Sequence, residues 1–189
     1  MTKKPNFRRG MTMAEILICV AVVAIAVVMV VSFSVSMGDR TRRSNAQLEA
    51  REEMELVESV TCSWLNNVLS NALHNEQATE FSVTAPDADG WGRDLAVKLG
   101  PAPGEGEQDA RQTFTLACQY KRLTGTRPTG EAIDLRLERV TGAEFFVTQN
   151  ESDTDTLFYC RVTYQIPMSG SNRMQTLTHV FCVNPHVGE

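Results

Sequence analysis

The chain has 189 residues, enough for one domain plus a membrane segment, with 18 basic and 23 acidic residues and a formal net charge of −5. The four bases of residues 1–10 (Lys3, Lys4, Arg8, Arg9) have no acid among them, and without them 14 bases face 23 acids, a net of −9. The acidic balance of the body argues against a general nucleic-acid binder, and no nucleic-acid partner is expected. The later cluster Arg40, Arg42 and Arg43 reads as a solvated, headgroup-level face.

After the basic head, Ile16 to Val31 is a run of sixteen residues whose one polar group is the thiol of Cys19. A secretory signal has a shorter apolar core followed closely by a small-residue cleavage site, and here no such site follows. From Met11 to Met37 a helix would extend about 40 Å, enough to cross a bilayer. The spacing therefore predicts a single-pass transmembrane helix over 11–37. The basic head and acidic body are the charge order of a segment inserted with its N-terminus inside.

Glu15 interrupts the edge of this run, and Gly10 lies five residues before it. The stretch RRG-MTMAEILICVAVVAIA resembles the N-terminal signal of type IV pilins and type II secretion pseudopilins. That signal is a short basic leader ending in Gly, a Glu at the fifth mature position, and about twenty apolar residues. Thr12 matches the common second mature residue. Met11 stands where Phe is usual, Ala14 is smaller than the usual aliphatic, and Ser32 stands where many major pilins have a kinking Pro. The match covers residues 3 to 36.

The resemblance implies a prepilin leader over 1–10, cut after Gly10 by a membrane-embedded prepilin peptidase, and N-methylation of Met11. It implies that Glu15 sets the axial register of assembly by attracting the Met11 amine of a neighbouring subunit. The partners implied are other pilin or pseudopilin subunits, an inner-membrane assembly platform and membrane lipid. The location implied is the bacterial inner membrane, N-terminus cytoplasmic and head outside, and then a periplasmic or cell-surface filament. The filament is of the pilus, secretion or DNA-uptake kind. The large body and the small share of major-pilin pattern favour a minor subunit. The competing reading is a single-pass anchor that displays a ligand-binding ectodomain.

No proline occurs between Pro5 and Pro86, so helix is permitted far beyond the membrane. Val57, Val60, Trp64, Leu65, Val68, Leu69, Ala72 and Leu73 recur at three- and four-residue steps, the mark of an amphipathic helix. Glu52, Glu53, Glu55 and Glu58 fall largely on the other side. The helix is expected over 38–76, with a bend near Gly38.

Residues 77–189 then read as a globular head. The stretch 82–112 holds five Gly and three Pro in its 84–112 portion and reads as a variable loop with one short strand, residues 95–99. Its DGWGRDL segment has a slight likeness to a loop of major pseudopilins. Asp87 and Asp89 read as turn formers rather than calcium ligands. Strands are expected at 112–123 and 132–140, forming a hairpin, then at 143–149, 157–166 and 174–184. The acidic loop with Asp153 and Asp155 reads as solvated. One long helix followed by five strands is an α+β arrangement with an antiparallel sheet, which is also the layout of the pilin family.

Cys62, Cys118, Cys160 and Cys182 lie in the body, with no CxxC and no zinc-like spacing. Cys160 and Cys182 flank the last hairpin at similar distances from its turn, placed either for a disulfide or as two buried thiols. His179 and Cys182, three apart in a strand, fall on opposite faces, so no dyad is expected. His74 ends the amphipathic helix and His186 lies in the tail. No catalytic, metal or cofactor motif is found, and the expectation is a structural subunit rather than an enzyme.

Overall fold

The computed structural model describes residues 12–75, 77–101, 110–149, 156–168 and 173–183. One long N-terminal helix, α1 (Met13–His74), is followed by eight strands. These are β1 (Thr79–Val83), β2 (Asp94–Leu99), β3 (Gln112–Gln119), β4 (Arg122–Thr126), β5 (Ala132–Arg136), β6 (Val140–Gln149), β7 (Thr156–Pro167) and β8 (Met174–Val183). The fold is α+β with a wholly antiparallel sheet. The chain divides into two compact units, Met1–Arg42 and Arg43–Glu189.

The described part of the first unit is helix. Its large apolar side chains, from Met13 through Met37, are all exposed. This is the one helix among the described residues that is long and apolar enough to cross a membrane, and its length and composition suit a single-pass anchor. Helical structure continues without interruption through Gly38.

In the second unit, α1 buries a stripe of Ala46, Ala50, Val57, Thr61, Trp64, Leu65, Val68 and Ala72. The periodicity expected from sequence is present, with two shifts. The stripe starts earlier, at Ala46, and Leu73 is exposed. It packs on one face of the sheet, through Leu95, Val97, Phe114, Leu116, Cys118, Leu123, Phe145, Phe158, Cys160 and Val162. Burying each large side chain contributes roughly 1.5–3 kcal/mol. The Trp64 indole N–H would be costly to bury unpaired; it donates to the Thr126 carbonyl at 2.9 Å, which fixes α1 over β4.

The sheet order is β1-β2-β3-β6-β7-β8, with β4 and β5 hanging from β3 as an extra ribbon. The expected loop over 82–112 is shorter than the sequence suggested. Its start belongs to β1, which was not expected, and β2 extends the short strand expected at 95–99. Five strands and the short one at 95–99 were expected, and eight are present among the described residues. The expected strand 112–123 is two strands joined by a two-residue turn at Tyr120 and Lys121, with φ of 51° and 62°. Both residues adopt the left-handed conformation that hairpin turns usually assign to Asn-Gly, so the residue types gave no turn signal. The expected hairpin around Pro128 is present between β4 and β5. The expected strand 132–140 stops at Arg136, and β6 begins at Val140.

The cause of that break is Glu53. Its carboxylate accepts three successive backbone N–H groups, from Glu138 at 2.6 Å, Arg139 at 2.8 Å and Val140 at 2.8 Å. Arg139 also pairs with Glu49 one turn earlier on α1, at 2.8 Å. Three donors that would otherwise extend a strand are turned onto the helix. Glu53→Gln is expected to lower stability by about 2 kcal/mol, because hydrogen bonds to a charged acceptor are lost. Glu52→Gln is expected to change it by less than about 0.5 kcal/mol. Urea unfolding of the two variants measures the difference.

Candidate functional site

The start of α1 holds the carboxylate singled out in the sequence. Thr12 is the cap residue and Glu15 stands three positions on. The Thr12 backbone N–H donates to Glu15 Oε2 at 2.9 Å, and its hydroxyl donates to the same oxygen at 3.2 Å. The Thr12 Oγ1 in turn faces the Glu15 N–H at 3.4 Å. This is a capping box: the first turn of a helix has N–H groups with no intrahelical partner, and the two side chains take them up reciprocally. Glu15 also complements the positive end of the helix dipole. Glu15 Oε1 has no hydrogen-bond partner among the described residues. Gly10 and Met11, the processing positions expected from sequence, lie outside the described residues.

A second polar cluster lies on the sheet face opposite α1. Arg161 of β7 pairs with Glu144 of β6 at 2.7 Å and with Asp87 at 3.2 Å. Its guanidinium lies 4.6 Å from the Trp91 ring centroid, within cation–π range. Trp91 packs on Phe146, which packs on Tyr159. Residues 84–93 are thus clamped flat on the sheet. The clamp includes a two-way backbone bridge between Gly92 and Phe145, at 2.8 and 2.7 Å. A Cβ at Gly92 would fall 2.5 Å from the Val83 Cβ, so this approach requires glycine.

Asp87 organises the loop. Its Oδ1 accepts the N–H of Asp89 at 3.0 Å and of Trp91 at 2.8 Å, and its Oδ2 faces Arg161. The Trp91 N–H, followed by the Asp89 N–H and the arginine, holds its pKa below the ordinary value of 3.8. Both oxygens are engaged in a turn and an ion pair, which is the turn-forming role read from sequence. The Asp153 and Asp155 loop lies outside the described residues, as does His186.

The thiols are sorted by face. Cys118 and Cys160 are buried on the α1 side, whereas Cys182 is exposed. Cys160 lies opposite Phe181, and Cys182 lies opposite Tyr159, so the two cysteines considered as a pair are one register step apart on opposite faces of the hairpin. No disulfide joins any of the five cysteines. Burial pushes the Cys118 thiol up to about 12 and raises that of Cys160 further. His179 and Cys182 also fall on opposite faces, the alternation expected of a strand. His74 is exposed in the last turn of α1.

Comparison of the chain with known protein families, characterised proteins and solved structures finds no match.

Two outcomes check this geometry. A carboxylate with a lowered pKa stabilises the folded state above its ordinary pKa and loses that effect as the pH falls through the lowered one. The clamp is therefore expected to hold above pH 3.8 and to open below it. The Trp91 indole resonance should move with that acid transition in the native chain and lose the Asp87 step in Asp87→Asn. In the folded chain at pH 8, iodoacetamide is expected to label Cys182 and to leave Cys118 and Cys160 unmodified until urea unfolds it, since the thiolate is the nucleophile. Peptide mass mapping reads both results.

Proposed function

We propose that the protein is a structural subunit, a minor pilin or pseudopilin, of a type IV pilus, type II secretion or DNA-uptake filament. The observation that carries this reading is the sequence constellation of basic leader, Gly10, Glu15 and apolar run. It is supported by the body that follows, one long helix and an antiparallel sheet. In this reading prepilin peptidase cuts between Gly10 and Met11 and Met11 is N-methylated. The leader keeps the N-terminus cytoplasmic, and the apolar part of α1 stays attached as the assembly helix. The head lies outside the bacterial inner membrane, and the subunit then enters a periplasmic or cell-surface filament with other subunits on a membrane platform.

The mechanism turns on charge in lipid. A lone carboxylate or ammonium is strongly disfavoured there. Cleavage creates an amine at Met11 of each chain, and Glu15 of an incoming subunit neutralises the amine of the subunit ahead. Featureless apolar helices would otherwise slide past one another, and a polar pair fixes their register. The capping bonds fall on Oε2 and leave Oε1 for such a partner.

Intact mass of the native membrane protein should show loss of residues 1–10 and gain of one methyl group. An uncut N-terminus retaining Lys3 and Lys4 would favour a plain anchor carrying a ligand-binding ectodomain. Glu15→Ala is expected to insert and lose its leader normally but to fail at filament incorporation. Glu15→Gln separates charge from capping, since Gln also completes a capping box. It is expected to fail as well, and normal assembly of Glu15→Gln would overturn the register mechanism.

A further inference from the structure

The two ends of the sheet differ. β1 is five residues long, and its Glu80 is held by Arg111 at 2.7 Å. β8 is ten residues long and contains no Asp, Glu, Lys, Arg, Pro or Gly. It pairs with β7 along its whole length, and among the described residues no strand covers its other side. Proteins blunt open edges with charges, prolines, bulges or short strands, because an open edge offers unpaired N–H and C=O groups. The described β8 has none of these devices.

Beside that edge, between α1 and the last hairpin, lies a cavity of about 470 Å³. Met54, Leu177 and Phe181 give it an apolar surface, and Glu55 and Glu58 line its helix wall. Arg51 is engaged by Glu55 at 3.0 Å, whereas the Glu58 carboxylate has no ion pair among the described residues. The wall is therefore left with negative charge. His179 is the one titratable group of the hairpin lining it besides Tyr164.

We propose that the open edge of β8 accepts an extended segment of a partner protein. The segment adds a strand to the sheet and presents apolar and Lys or Arg side chains to α1. Backbone pairing supplies the affinity in such strand addition, and alternate side chains supply the selectivity. The apolar positions fit Met54, Leu177 and Phe181, and the basic position answers Glu58, the carboxylate of that wall without an ion pair among the described residues. A second copy of this chain fits less well. Its own β8 presents Gln175, Leu177, His179 and Phe181 on that face, with no fixed positive charge, and two-fold pairing would bring two acidic helix walls to one groove. The proposal does not depend on the filament reading.

The test uses the full chain in detergent micelles and two ten-residue peptides. In one, Thr alternates with Val and Lys; in the other, Glu replaces Lys. Amide hydrogen exchange is followed across residues 174–183. The Lys peptide is expected to slow exchange in β8 by about tenfold, the protection given when nine-tenths of the edges are covered, and to leave β1 unchanged. The Glu peptide is expected to have no effect. Glu55→Lys with Glu58→Lys, both on exposed positions, should reverse the preference while keeping the thermal midpoint. No slowing with either peptide at millimolar concentration would overturn the proposal. So would equal slowing with both. Protection of β8 that rises with the concentration of the chain alone would assign the edge to a second copy instead.

Discussion

The second unit depends on a single carboxylate. Glu53 takes the N–H groups of Glu138, Arg139 and Val140. Those residues leave the β4–β5 ribbon and enter β6, so the bond set decides where one strand ends and the next begins. It also fixes α1 against the sheet at the end where its buried stripe is thinnest, between Ala50 and Val57. Towards the other end, Trp64 repeats the device with an N–H donor in place of an acceptor. Apolar burial supplies most of the attraction between helix and sheet, but it is non-directional. The two polar contacts, 11 residues apart on the helix, give that attraction an axial register.

The sheet itself is divided by face. The α1 side holds the apolar core and the two buried thiols. The opposite side holds the Arg161, Glu144, Asp87 and Trp91 cluster, which covers the sheet with residues 84–93 rather than with a second helix. Its ion pairs are partly exposed and individually worth little. The clamp gains from sharing, because one guanidinium is ordered for two carboxylates and a ring.

The helix, the α+β class and the last three strands were legible in the sequence, because their periods of 3.6 and 2 are strong over long runs. The missed features have specific causes. β1 is short and polar on its outer side, so its alternation was merged with the loop. The Tyr120–Lys121 turn uses residues that do not favour positive φ. The break after Arg136 depends on Glu53, 85 residues earlier than Glu138. A signal for Glu53 did exist: positions 46, 50, 53, 57, 61, 64, 68 and 72 follow one stripe of three- and four-residue steps, and Glu53 is its charged member. Reading all glutamates as one solvated side hid it. At the N-terminus, the T-x-x-E spacing of Thr12 and Glu15 is a capping box legible without any structure.

That capping box changes the argument about Glu15. A carboxylate at the head of an apolar helix needs no intersubunit partner to have a local purpose, since it completes the first turn of the helix it begins. The local purpose and the proposed one are nevertheless compatible. The cap uses Oε2 alone and leaves Oε1 without a hydrogen-bond partner among the described residues. A carboxylate already ordered by its own chain loses less conformational freedom when it meets an amine. In the proposed filament, Thr12 would therefore act as a positioning residue. There it would prepare Glu15 for a charge that the proposed cut after Gly10 creates.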